Sequence, residues 1–117
     1  MSPHDRAVAE VDRLADLLID VSHRIWDDPE LCFEEHHAHD LLCDVLEAQG
    51  LTPTRHAYGL ETAFVAEAGT TGPLVAICCE YDALPDIGHA CGHNVIATPE
   101  GKVAVREALL SDRARRA

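Results

Sequence analysis

The sequence predicts an α/β fold, on three observations. Two stretches near the start repeat apolar residues every three or four positions, the period of an amphipathic helix. Over residues 52–79 the pattern changes to short apolar runs broken by glycine and proline, which reads as strands and turns. Directly after the last run, residues 80–94 gather three acids, two histidines and a cysteine. In open α/β sheets, ligand-binding residues collect beyond the carboxyl ends of strands.

The first helix is predicted over residues 5–26. Val11, Leu14, Leu18, Val21 and Ile25 form its apolar stripe, and Asp27-Asp28-Pro29 ends it because the residue before proline avoids the helical region. A second helix is predicted over residues 33–49, with Ala38, Leu41, Leu42, Val45 and Leu46 facing inward and Gly50 as its stop. About three strands follow, over residues 52–58, 62–68 and 74–79. The last is apolar without interruption, as expected of a strand buried on both faces. Thr98-Pro99-Glu100 reads as a helix start, with a capping threonine, proline at the first position and an acid in the first turn. The C-terminal helix would use Val103, Val105, Ala108, Leu109 and Leu110.

A chain of 117 residues is one domain at most. Nine basic residues against 21 acidic ones give a net charge of −12, which argues against nucleic acid and against anionic membrane surfaces. Lys102, Arg106, Arg113, Arg115 and Arg116 crowd the end of the chain, where cations suit a helix C-terminus. No apolar leader follows Met1, no stretch is long enough to span a membrane, and five cysteines without a framework spacing point to a reducing compartment, the cytoplasm.

The chemistry concentrates in Glu80-Tyr81-Asp82-Ala83-Leu84-Pro85-Asp86-Ile87-Gly88-His89-Ala90-Cys91-Gly92-His93-Asn94. In an extended segment His89, Cys91 and His93 would line one face. A thiolate and an imidazole suit zinc or another borderline-soft divalent ion, and Gly88 and Gly92 free the backbone to bend around it. The bland reading is a turn with a buried cysteine and surface histidines. Asp82 either serves the metal, as ligand, orienter or holder of water, or closes the turn before Leu84-Pro85. His36, His37 and His39 read as a solvated helix face, with His36 and Asp40 as an i, i+4 pair. Cys32, Cys43, Cys78 and Cys79 read as buried or near-core side chains, since no Cys-x-x-Cys motif is present.

Three segments together resemble the M20 family of metallopeptidases and amidohydrolases, in its aminobenzoyl-glutamate-hydrolase-like and dipeptidase-like branch. They are Ile25-Trp26-Asp27-Asp28-Pro29-Glu30-Leu31-Cys32-Phe33-Glu34-Glu35, Gly59-Leu60-Glu61-Thr62-Ala63-Phe64-Val65-Ala66-Glu67, and residues 80–97. The resemblance implies that Cys91 and His93 are metal ligands and that Asp82 is the active-site acid beside the metals. It implies a supporting place for His89. Cys32 and Asp86 depart from the branch pattern, which has glycine there, so Asp86 must adopt a backbone conformation open to a non-glycine residue.

The resemblance further implies the opening portion of a three-layer α/β/α catalytic domain, with residues 1–117 as a single partial domain lacking the lid or dimerisation domain. The implied reaction is hydrolysis of the amide bond of an N-acyl amino acid or small dipeptide, dependent on zinc, or on manganese or cobalt. Family members continue into a Glu-Glu pair and further histidine ligands that this sequence does not display. Glu100 is a remnant of that pair only if an internal stretch is deleted, and the alignment without a gap makes it part of a helix cap. The chain is therefore expected to be truncated and inactive alone, with either a homo-oligomer or a complementing chain left open. The alternatives are a non-catalytic remnant or partner module with a weakly metal-binding Cys-x-His loop, and a small redox protein, which requires a thiol of low pKa.

Overall fold

The computed structural model describes residues 1–98. The expected C-terminal helix, the basic chain end and Glu100 lie outside the described residues. Helix α1 spans Pro3–Asp27 and α2 spans His36–Ala48. Strands β1, Thr54–Arg55, and β2, Phe64–Val65, pair antiparallel with Thr54 opposite Val65 and Arg55 opposite Phe64. A 3₁₀ turn, Ala57–Gly59, lies between them, and a one-turn helix α3, His93–Ile96, follows the site loop.

Helix α1 starts earlier than its apolar stripe implies. Ser2 caps it: the Asp5 amide donates to Ser2 Oγ at 3.1 Å while the Ser2 amide donates back to Asp5 Oδ2 at 2.9 Å. This reciprocal box, with Pro3 at the first turn, satisfies amides that would otherwise be orphaned. The Ser-x-x-Asp spacing was the available signal. Helix α2 has no cap from its own flank. The Glu30 carboxylate supplies it from a distance, accepting the His37 amide at 2.9 Å and the Ala38 amide at 2.8 Å. A carboxylate there also complements the positive end of the helix dipole.

The predicted stripes are the core. Leu14, Leu18, Val21 and Ile25 of α1 and Ala38, Leu41, Leu42, Val45 and Leu46 of α2 are all buried, whereas Val11 is only partly so. Val21, Ile25, Ala38, Leu41, Leu42 and Val45 pack with Ala97, and Phe64 and Tyr81 close the cluster from the side. Tyr81 also donates its phenolic hydrogen to the Thr62 carbonyl. The buried Thr62 hydroxyl in turn donates to Glu35 Oε2 at 2.7 Å, which ties β2's approach to the start of α2.

The sheet is smaller than expected. Residues 52–58 and 62–68 reduce to two-residue strands, and residues 74–79 form no strand. Leu74 is 93% exposed and Val75 and Ile77 are exposed as well. Cys78 is also exposed and Cys79 half-buried, so the reading of these two as buried is corrected. The physical reason is that strand character is a pairing property. An apolar run becomes a buried strand only when neighbours take its amides and carbonyls, and none among the described residues does. The described residues thus form a small α/β arrangement; the third layer of the implied fold is not among them.

Candidate functional site

The loop over residues 80–94 lies against the C-terminal end of α1 and the turn that follows it. The Ala83 amide donates to the Glu30 carbonyl at 2.7 Å, so the residue that caps α2 with its side chain also holds the segment bearing Asp82. Leu84 and Gly88 exchange backbone hydrogen bonds of 2.9 and 3.2 Å across a tight turn. Asp86 sits in that turn at φ 67°, the left-handed region that aspartate tolerates better than most residues. Aspartate can take this glycine-favoured angle, so the departure from glycine is accommodated.

His89, Cys91 and His93 do not line one extended face. The Gly92 amide donates to the His89 carbonyl at 3.0 Å, closing a turn, and Gly92 at φ 75° starts α3. A Cβ at Gly92 would meet nothing within 4 Å, so it is the dihedral angle and not crowding that calls for glycine. The bend separates the three side chains. His89 is buried, its ring 6.5 Å from that of Trp26. Burial pushes its imidazole below the ordinary value, with the Ile25 backbone opposing the shift. Cys91 is exposed as a free thiol.

His93 is brought to Asp82. Its Nδ1 lies 2.8 Å from Asp82 Oδ1 and 3.0 Å from the Asp82 carbonyl oxygen. A carbonyl only accepts, so Nδ1 carries the hydrogen and donates to both oxygens. In the neutral ring the lone pair is therefore on Nε2. Both side chains are about a quarter exposed, 23% and 27%, so the pair is open to a ligand.

A carboxylate that fixes the tautomer and orientation of a histidine is the arrangement that supports imidazole ligands in metal sites. The donor chemistry fits a divalent ion as a partial set: His93 Nε2 and the Cys91 thiolate would hold it, and Asp82 would orient His93. The set does not close within the described residues. Among them, Asp28, Glu30 and His37 form the one group of three whose ligand atoms all lie within 4.8 Å of one another. Glu30 already accepts two α2 amides there, and His37 Nδ1 lies 3.2 Å from Asp28 Oδ2, so that group reads as a helix cap with a neighbouring histidine–aspartate contact.

Helix α2 departs from the solvated histidine face expected of it. His36 is exposed, but His39 is only 1% exposed. Its Nδ1 pairs with Asp40 at 2.9 Å, in place of the expected His36–Asp40 pair, and its ring stacks on His56 at 4.8 Å. Cys43 Sγ lies 3.9 Å from His39 Nε2, which sketches a Cys-His-Asp arrangement. The thiol is not activated. Burial, opposed by Arg55 and reinforced by Asp40, Glu47 and Asp44, pushes it from the ordinary 9.0 to about 11. Cys32, expected near the core, is exposed, and its thiol is also raised, by desolvation first and then by Glu35 and Asp82. Neither shift suits a redox thiol, which needs the opposite direction.

Alkylation with iodoacetamide at pH 8 should therefore leave Cys43 unlabelled in the folded chain while the exposed Cys91 reacts, as read by peptide mass spectrometry. Because the folded thiol is raised above its unfolded value, its contribution to stability is full below about pH 9. That contribution falls as pH rises toward about 11. Equal labelling of the two cysteines would contradict this account.

No family model matches the chain. It is similar to Xaa-Arg dipeptidase of Mus musculus, with 44% identity over 102 residues that cover 79% of this chain and 24% of that protein. The Homo sapiens Xaa-Arg dipeptidase is 43% identical, again over 79% of this chain and 24% of that protein. A p-aminobenzoyl-glutamate hydrolase subunit of Escherichia coli (strain K12) is 34% identical over 103 residues, 74% of this chain and 21% of that protein. The chain spans about a quarter of the length of the curated relatives it matches. These relatives are M20 peptidases, and the chain is similar to an N-terminal portion of them.

Proposed function

We propose that the chain carries one wall of the site of a metal-dependent amidohydrolase, which cleaves the amide bond of an N-acyl amino acid or small dipeptide. The observation that carries this reading is the bond from His93 Nδ1–H to Asp82 at 2.8 Å, which leaves Nε2 as a donor two positions along the chain from an exposed cysteine. The names of the relatives, a dipeptidase and an aminobenzoyl-glutamate hydrolase, support the amide-bond class. When bound, a divalent ion, zinc in this reading, polarises the scissile carbonyl and offsets the charge developing on its oxygen.

This chain's own residues do the following. His93 presents Nε2. Asp82 holds the Nδ1 proton and keeps the ring from rotating. Cys91 offers a second donor. Ala83 and the Leu84–Gly88 turn fix the strip of backbone from which Asp82 projects. No described residue is placed as the general base, and loss of a base typically removes about two to four orders of magnitude of rate. In this reading residues 1–117 are a partial domain that hydrolyses nothing alone. The cytoplasm is its proposed compartment, in keeping with five free thiols. No helix among the described residues is long and apolar enough to cross a membrane.

A panel of acyl-amino acids and dipeptides, assayed with added zinc, manganese or cobalt, tests the reading. The expected result is no turnover by the 117-residue chain and clear turnover by a full-length relative. Hydrolysis by the chain itself, abolished in Asp82→Ala, would overturn the partial-wall reading and show a complete site. A second reading, a non-catalytic module with a weakly metal-binding loop, is favoured by the failure of Asp82, Cys91 and His93 to converge within 4.8 Å. It predicts metal uptake that never leads to hydrolysis with any complementing chain.

A further inference from the structure

The residue after His93 is buried, polar and bonded to a helix far away in sequence. Asn94 is 5% exposed, and its Nδ2 donates to Ser22 Oγ at 2.9 Å, with the Ser22 carbonyl oxygen at 3.4 Å. The carbonyl can only accept, so the amide nitrogen is the end turned toward α1. Asn94 and Ser22 are 72 positions apart, so the bond ties the end of the site loop directly to the first helix.

Helix α3 is four residues long, with His93 at its first position and Asn94 at its second. A single turn has no rigidity of its own, because helix nucleation is unfavourable without outside support. Its rotation about its axis is therefore set by what it is tied to. Rotation of this turn moves the His93 ring directly, since one residue corresponds to about 100°. We infer that the Asn94–Ser22 bond is the pin that sets His93 against Asp82, making Asn94 and Ser22 positioning residues for the imidazole. The inference rests on the reading of His93 as a metal donor only for its functional consequence, since the geometry it explains is that of the chain itself.

The pin has a consequence that packing alone lacks. With α3 held, Nδ1–H of His93 meets both the Asp82 carboxylate and the Asp82 carbonyl, and a single tautomer results. With α3 released, the ring loses that double acceptor and the Nε2–H form appears, which cannot offer Nε2 to a metal.

The test uses the full 117-residue chain and the variants Ser22→Ala, Ser22→Thr and Asn94→Leu. Long-range ¹H–¹⁵N correlation reads the His93 tautomer without metal, zinc calorimetry reads affinity, and thermal melting reads stability. Wild type should show the Nδ1–H tautomer. Ser22→Ala and Asn94→Leu should show a mixture and bind zinc about tenfold more weakly, the lower end for a partner behind a ligand. Ser22→Thr, which keeps the hydroxyl, should restore both. Ser22→Ala is the milder variant and keeps the question open to refutation if Asn94→Leu does not fold. An unchanged tautomer in Ser22→Ala, whatever the melting temperature does, would overturn the pin and leave a packing role only. Failure of wild type to bind zinc, with the tautomer shift still present in the variants, would sink the metal reading and leave the pin standing.

Discussion

Zinc titrated into the Cys91→Ser/His93→Ala chain should evolve only the heat of dilution, while the wild-type chain gives a weak but saturable isotherm. Each single change should weaken binding by more than about 100-fold, beyond the 10–100-fold typical when a partner behind a ligand is lost. Asp82→Ala should fall within that lower range. It leaves both donors in place but removes the carboxylate that holds His93 Nδ1 at 2.8 Å. The ordering matters more than any one value. Two donors from one loop make a weak site, because closed zinc sites use four ligands and open catalytic ones three. Identical isotherms for wild type and the double variant would remove Cys91 and His93 from any metal role.

Leu42→Ala should cost about 2–5 kcal/mol, the usual range for emptying a buried leucine site. Leu42 is only 2% exposed and belongs to the cluster with Val21, Ile25, Leu41 and Val45, where α2 meets α1. Small domains are stable by roughly 5–15 kcal/mol, so one such cavity removes a large share of the total. Urea unfolding followed by circular dichroism checks the value. Ile19→Ala on the same scale should stay within about 0.5 kcal/mol, since Ile19 of α1 is half exposed and off the buried stripe. A loss below about 1 kcal/mol for Leu42→Ala would show that the two helices are not joined by this core.

The apolar period of each helix identified its buried residues, because on a helix the period and the packed face are the same fact. The chemical segment was legible in the same way, since its residue types announce their chemistry before any contact is known. Gly92 was also readable in kind, as a position where the backbone bends, and it has a positive φ. What the sequence by itself determined is therefore the local and compositional layer: two amphipathic helices, a loop rich in metal-binding side chains, and kinship with M20 peptidases.

Tertiary structure decided everything that depends on a distant partner. Glu30 looked like one acid among many until α2 placed two amides on it. His39 read as a surface histidine until His56 stacked on it and Asp40 took its Nδ1. The run over residues 74–79 read as a buried strand, yet burial of a strand requires neighbours that its own residues do not supply. The spacing of His89, Cys91 and His93 predicted one shared face, and the turn at Gly92 sent them to the interior, the surface and Asp82. Periodicity reports which side of an element is apolar. It carries no information on which residue, dozens of positions away, will meet a given donor or acceptor, and the pairings of His93 with Asp82 and Asn94 with Ser22 are of that second kind.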